Sequence, residues 1–101
     1  MERDHVIAAL QAHEQELRTA GVESVSLFGS VARGEYAAND VDLAVRLGEN
    51  FSAPGLNYFS RLSELEVRLS GILGCKVDVI EEPVRKKRFQ TEIDRDRAFA
   101  F

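Results

Sequence analysis

The sequence is poor in the residues that cross-link a chain or interrupt its regular structure. It has one cysteine, Cys75, two prolines and no tryptophan. A single cysteine excludes an internal disulfide. A cysteine nucleophile would need a nearby histidine, and His5 and His13 both lie far from Cys75 along the chain, on a predicted helix. Cys75 is therefore predicted to be a plain buried or half-buried thiol.

The sequence also lacks long apolar runs and a surplus of basic charge. No run approaches the roughly 20 apolar residues that a membrane helix needs, and the opening stretch MERDHVIAALQAHEQELR has no apolar signal core. We therefore expect a cytoplasmic protein without a membrane partner. The formal net charge of −4 argues against direct, broad nucleic-acid binding. The 101 residues can bury one modest core, which predicts a single domain over residues 1–101.

Hydrophobic periodicity predicts alternating helices and strands. Apolar residues recur at helical spacing in two long segments, and His13 falls on the apolar side of the first, at the core edge. Strict alternation marks the strands, most clearly in DVDLAVRL. The predicted elements are a helix over 2–20, a strand over 22–28, a helical turn over 30–34, a strand over 40–47, a helix over 57–73, a strand over 75–80 and a last helix through VRKKRFQTEIDRDR. Pro83 suits the first turn of that last helix.

This order of elements predicts an α/β (α+β) fold. We expect a small three-stranded mixed sheet with helices packed mainly on one face. The other face would be partly open. Because alternate residues of a strand share a face, that open face would carry Asp40, Asp42 and Asp78.

The three aspartates are the first candidate functional residues. Asp40 and Asp42 are two positions apart on one strand, and Asp78 joins them if the third strand pairs beside the second. Three carboxylates so close would repel one another at neutral pH, and divalent cations would relieve the repulsion. Oxygen ligands without His or Cys favour Mg²⁺, with Mn²⁺ as the alternative, over Zn²⁺. Two such ions about 3.5–4 Å apart would suit displacement at phosphorus, whereas any one aspartate alone would be ordinary on a solvated sheet face.

A Gly-Ser turn precedes the aspartate pair by ten residues. Glycine at position 29 lets backbone N–H groups approach a ligand without an intervening Cβ, and Ser30 adds a hydroxyl donor. Arg33 supplies a cation that could reach the same phosphates. The dipeptide alone is a weak signal, and its value comes from its position between a strand and the Asp-x-Asp strand.

The combined motif FGSVARGE…NDVDLAV…KVDVI resembles the nucleotidyltransferase superfamily that includes DNA polymerase β, and in particular its minimal nucleotidyltransferase branch. The resemblance covers nearly the whole chain and implies a polymerase β-like nucleotidyltransferase fold. It matches Gly29 and Ser30 to the phosphate-holding turn, Asp40 and Asp42 to the metal-binding pair, and Asp78 to the third carboxylate. It also implies ATP as the substrate.

Members of this branch are often antitoxins paired with a HEPN-domain toxin, and some transfer AMP to a tyrosine of that toxin. The resemblance therefore implies a Mg²⁺-dependent adenylyltransferase that acts as an antitoxin, within a homo- or hetero-oligomer. Two alternatives stay open. One is a non-catalytic antitoxin that neutralises its partner by occlusion, and the other is transfer to a small molecule, although so short a chain has little surface for an acceptor pocket.

Three further segments leave alternatives open. The basic run over 84–89 is either a solvated helix face or a contact for an acidic partner, RNA or the nucleotide. The terminal AFAF either packs on the last helix or meets a partner. Tyr36 is by default a surface residue, with a place beside the nucleotide as the alternative.

Overall fold

The computed structural model describes residues 2–35, 40–52 and 57–101, apart from the side chains of Asn50 and Ser52. Tyr36 lies outside the described residues, and its prediction stays untested. The helices of the described residues are α1 Arg3–Ala12, α2 Glu14–Thr19, α3 Gly29–Ala32, α4 Tyr58–Leu73 and α5 Lys87–Asp96, with a 3₁₀ turn at Glu49–Ser52. The strands are β1 Val22–Phe28, β2 Val41–Leu47, β3 Val77–Glu81 and β4 Ala98–Phe99.

The strands form one mixed sheet in the order β3-β2-β1-β4. β1 runs antiparallel to β2 and β4, and β2 runs parallel to β3. The end of β1 and the beginnings of β2 and β3 therefore meet at one end of the sheet. We call this end the carboxylate edge, defined by Phe28, Asp42 and Asp78. The α/β class and the mixed sheet are confirmed.

The fourth strand corrects the prediction of three strands. It comes from the terminal AFAF, which pairs with the free edge of β1. The Val25 N–H donates to the Phe101 carbonyl at 3.0 Å, and the Ala100 N–H donates to the Val25 carbonyl at 2.9 Å. An open strand edge leaves backbone groups without partners, and the tail satisfies those of β1. Neither alternative raised for the tail anticipated this pairing.

Helices cover both faces of the sheet unequally. α1, α2 and α4 pack on the face that carries the main core, whose buried members include Val6, Leu10, Leu17, Leu65 and Leu69. α5 lies on the opposite face, where Phe89 packs edge-on against Phe28 with ring centroids 5.9 Å apart. Ile93 of α5 is fully buried outside the main core. The helices are therefore mainly, but not wholly, on one face.

The predicted first helix over 2–20 is two helices, because the chain leaves helical geometry at His13. The His13 N–H donates to the Leu10 carbonyl at 3.1 Å, and His13 has φ −109° and ψ 14°. Its Nδ1 lies 2.9 Å from the Ala9 carbonyl oxygen. His13 is half-buried, as expected for a residue at the core edge.

The prediction that Pro83 begins the last helix is wrong. α5 begins at Lys87, and Pro83 follows a cis peptide bond outside the helix. The chain stays extended past β3 because the Glu82 N–H donates to the Val45 carbonyl at 2.8 Å. The Val84 N–H then donates to the Gln90 side chain at 3.0 Å instead of entering a helix.

The prediction of a buried or half-buried Cys75 is confirmed. Cys75 is half-buried against the core, just before β3, and burial raises the pKa of its thiol. Among the described residues, no helix has the length and apolar character required to cross a membrane.

Candidate active site

The register of the sheet places two predicted site carboxylates side by side. Asp42 of β2 pairs with Asp78 of β3, and Phe28 of β1 pairs with Asp42 on the other side. Neighbouring strands lie about 4.8 Å apart, so Asp42 and Asp78 are adjacent on one face. Asp40 precedes β2 by one residue, and both Asp40 and Asp78 are exposed. The pairing of β3 beside β2 is the condition under which the sequence predicted that Asp78 joins the other two aspartates.

The Gly-Ser turn lies directly against this pair. Gly29 is the first residue of α3 and has φ +74°, in the left-handed region that favours glycine. A Cβ added to Gly29 would lie 2.5 Å from Oδ2 of Asp42. Any side chain there would collide with the carboxylate, so the backbone of the turn and Asp42 form one compact unit. Ser30 follows and is half-buried.

Asp42 is in an unfavourable electrostatic environment. Burial raises the pKa of Asp42, and the nearby charges of Asp78 and Asp40 raise it further, while Arg33 partly offsets them. Burial disfavours a charged carboxylate, and like charges disfavour it again. A cation bound at the carboxylate edge would favour the ionised form of Asp42 and so oppose both effects.

The carboxylates have the chemistry of a Mg²⁺ site but do not enclose one as they stand. Across the described ranges, no three His, Cys, Asp or Glu side chains approach closely enough to hold a metal ion. The donor set is made of oxygens alone, which suits Mg²⁺ or Mn²⁺. Mg²⁺ usually takes one or two carboxylates together with substrate phosphates and waters, so the adjacent Asp42 and Asp78 fit such an ion.

Arg33 is held by two carboxylates. It follows α3, and its N–H donates to the Gly29 carbonyl at 3.1 Å. Its Nε donates to Glu35 at 2.9 Å and its Nη1 to Asp96 at 2.7 Å. Arg33 is thus one helical turn from Gly29, close to the turn that is predicted to hold phosphates. Its guanidinium is already paired with two carboxylates, those of Glu35 and Asp96.

Sequence reasoning missed Asp96 and the ring contact that places α5. Asp96 is 63 positions from Arg33, and nothing in its local pattern distinguishes it from other helix acids. The contact between Phe28 and Phe89 joins α5 to the residue before Gly29. Glu35 lies within the motif itself and could have been proposed as a partner of Arg33.

The basic run lies at the start of α5. Arg85, Lys86, Lys87 and Arg88 are exposed and form no ion pair with the described residues. The run ends at Phe89, which contacts Phe28 at the carboxylate edge. Both interpretations of this run stay predictions.

Comparison with known proteins identifies the family. The family model described as a nucleotidyltransferase domain matches residues 10–99. The chain belongs to the nucleotidyltransferase domain family, which confirms the resemblance drawn from the motif and makes this chain a member of an enzyme family.

Two relatives support this assignment along most of the chain. A Methanocaldococcus jannaschii protein named as a candidate protein adenylyltransferase is 38% identical over 93 residues, which span 83% of this chain and 87% of the relative. Protein adenylyltransferase MntA of Thermococcus cleftensis is 38% identical over 79 residues, spanning 76% of this chain and 74% of the relative.

Two solved structures share the fold. One, described as a candidate minimal nucleotidyltransferase, aligns with a TM-score of 0.74 and 28% identity over 97% of this chain and 95% of the other. The second is a tri-AMPylated Shewanella oneidensis HEPN toxin in complex with MNT antitoxin. It aligns with a TM-score of 0.56 and 16% identity over 90% of this chain and 71% of the other, a likeness of fold alone.

Proposed function

We propose that this chain is a Mg²⁺-dependent nucleotidyltransferase that transfers AMP from ATP to a tyrosine hydroxyl of a HEPN toxin and thereby acts as its antitoxin. The observation that carries the proposal is the pairing of Asp42 with Asp78 beside the Gly29 backbone. Two relatives that each match about three quarters of this chain or more are named for protein adenylyltransfer, one of them as a candidate. A structural neighbour pairs an AMPylated HEPN toxin with its antitoxin.

The carboxylates would bind the Mg²⁺ ion and accept the proton of the acceptor hydroxyl. Asp40, Asp42 and Asp78 would be the ligands of the ion, the first two as the metal-binding pair and Asp78 as the third carboxylate. When bound, Mg²⁺ would neutralise charge on the triphosphate and favour ionisation of the acceptor hydroxyl. The hydroxyl oxygen would form a bond to the α-phosphorus as the bond from that phosphorus to pyrophosphate breaks. The exposed Asp78 would accept the proton that the hydroxyl loses.

The turn after β1 would hold the rest of the nucleotide. The Gly29 backbone and the Ser30 hydroxyl would bind the outer phosphates, and Arg33 would add a cation. Most of the rate enhancement would come from positioning and from charge neutralisation, as in other phosphoryl transfers. A cytoplasmic location would supply the ATP and Mg²⁺ that this reaction requires.

Co-expression with the partner toxin separates transfer from occlusion. We expect the wild-type chain to restore growth of cells that express the toxin, and the D40A/D42A variant to bind the toxin in a pull-down without restoring growth. A variant that binds and still neutralises would contradict the catalytic proposal and favour occlusion. The E14A variant is a control that removes an acid from α2, away from the carboxylate edge.

A further inference from the structure

Arg33 is fixed from two directions by carboxylates of different exposure. Glu35, two residues further along, bonds Nε and is about half exposed. Asp96, the last residue of α5, bonds Nη1, and its side chain is only 7% exposed. Asp96 is therefore the more buried of the two partners. It links a helix on the sheet face to the turn that begins with Gly29.

The position of Asp96 is itself set by a network around the buried carboxylate of Glu82. We define the Glu82–Arg97 network by Glu82, Arg97, Asp94, Gln90 and Ser26. In that network, Nη1 of Arg97 donates to Glu82 at 2.8 Å and to Ser26 at 2.9 Å, and Nη2 donates to Asp94 at 2.8 Å. The Glu82 side chain is fully buried. Because Arg97 directly follows Asp96, this network holds the end of α5 in place.

The guanidinium of Arg33 still has donors for a ligand. Its Nη2 makes no hydrogen bond to any residue that the structure describes, and the Arg33 side chain is 43% exposed. Because Nε bonds Glu35 and Nη1 bonds Asp96, the plane of the guanidinium is set, and Nη2 is available to donate to a ligand. Its backbone lies one turn from Gly29, which packs against Asp42.

We propose that Asp96 is a positioning residue that orients Arg33, so that the free end of its guanidinium donates to the triphosphate. This inference rests on the proposed function, because it assumes that a nucleotide binds at the carboxylate edge. A long side chain that is already ordered loses less conformational freedom on binding. The planar guanidinium is also pre-organised in itself, so it loses less rotamer freedom per hydrogen bond than an ammonium does.

The test is the affinity for α,β-methylene ATP with Mg²⁺, an analogue whose α–β bridge AMP transfer cannot break, measured by titration calorimetry on the full chain. We expect D96A to raise the Kd about 2- to 10-fold, the fold-change expected for one long side chain that must be ordered on binding. D96N keeps an oxygen that accepts from Arg33 and should rescue most of the loss. E14A removes a different arginine–carboxylate bond, that of Arg18 on α2, and is the matched control.

A double-variant comparison distinguishes positioning from a structural role. If Asp96 acts through Arg33, adding D96A to R33A should weaken binding no further than R33A alone. Tighter binding by D96A would mean that Asp96 competes with the phosphates for Arg33, and would overturn the inference. Equal losses in the presence and absence of Arg33 would also overturn it, since they would indicate a structural effect.

The outcome for the wild-type chain separates this inference from the proposed function. If the wild-type chain binds α,β-methylene ATP and D96A binds it equally well, the inference fails and the proposed function stands. If the wild-type chain binds no nucleotide, the proposed function fails and the inference fails with it.

Discussion

Gly29 has two separate reasons to be glycine, and they can be measured separately. Its φ of +74° strains any other residue, and an added Cβ would collide with Asp42. Gly74, which ends α4, has a similar φ of +70°, but an added Cβ would meet nothing within 4 Å. The two positions therefore share the backbone cost and differ in the contact with the carboxylate.

G29A and G74A should both lower the free energy of unfolding by about 1–2 kcal/mol, the cost of a left-handed non-glycine residue. Only G29A should also lower AMP transfer, by about 100-fold, since displacement of a reacting group by roughly 1 Å costs that much. Urea denaturation and a transfer assay give the two values. Equal activity of the two variants would contradict a role for the contact with Asp42.

Asp42 should reduce stability while it supports activity. Its pKa is higher in the folded than in the unfolded chain, so the unfolded chain loses its proton first as the pH rises. The free energy of unfolding therefore falls between the ordinary aspartate pKa of about 3.9 and the raised folded value, and the deficit persists above it. Burial and the two neighbouring carboxylates are the cause.

D42N should consequently stabilise the chain at pH 7 without divalent cations, by about 0.5–1 kcal/mol given partial screening by solvent. The gain should shrink as the pH is lowered, and AMP transfer should be lost. Denaturant unfolding at several pH values measures the gain, with D4N on α1 as the control. A destabilised D42N variant at pH 7 would contradict the electrostatic description of the site.

At the scale of elements, the Glu82–Arg97 network attaches α5 to the sheet. The hydrogen bonds from Arg97 and Gln90 outweigh the effect of burial and lower the pKa of Glu82. The stabilisation of the folded chain by ionised Glu82 is fully present above the ordinary glutamate pKa of about 4.3. It is lost as the pH falls through the lowered pKa of Glu82 in the folded chain.

E82Q should cost about 3 kcal/mol of unfolding free energy at pH 7, because it leaves the Arg97 charge partly buried with fewer partners. Replacing both residues by apolar ones, E82L with R97M, should recover most of that loss. Thermal or urea unfolding of the two variants provides the comparison. A double variant as unstable as E82Q would show that packing of α5, and not the charge pair, is what was lost.

The terminal AFAF offers two phenylalanines that differ in burial, Phe99 in β4 and Phe101 after it. Phe101 is half-buried, packs against the core and lies under Arg18, whose guanidinium carbon is 5.0 Å from the ring centroid. Phe99 is 63% exposed. F101A should lower the free energy of unfolding by about 1–2 kcal/mol, and F99A should change it by less than about 0.5 kcal/mol. Equal effects, measured by denaturant titration, would contradict the docking of the tail on the core.

At the scale of the whole molecule, local patterns predicted the elements that have a clear period. Alternation in 40–47 predicted β2, and helical spacing over 57–73 predicted α4. The same alternation assigned Asp42 and Asp78 to one face, and the parallel register then made them neighbours.

The features that sequence reasoning missed depend on contacts between distant residues. A strand of two residues, such as β4, has no period to detect. The start of α5 depends on hydrogen bonds from Glu82 to Val45 and from Val84 to the Gln90 side chain, which no periodic pattern indicates. The bond between Asp96 and Arg33 needs the packing of α5 on the sheet, which no local pattern encodes.

The most direct test of the account is the mass of the partner toxin after incubation with this chain, ATP and Mg²⁺. Intact mass spectrometry should show added AMP groups on the toxin, localised to a tyrosine by fragmentation, with the wild-type chain and with the control D4N. The same experiment with D42N should give unmodified toxin. An unmodified toxin with the wild-type chain, in a complex that forms stably, would contradict the central claim that the carboxylate edge transfers AMP.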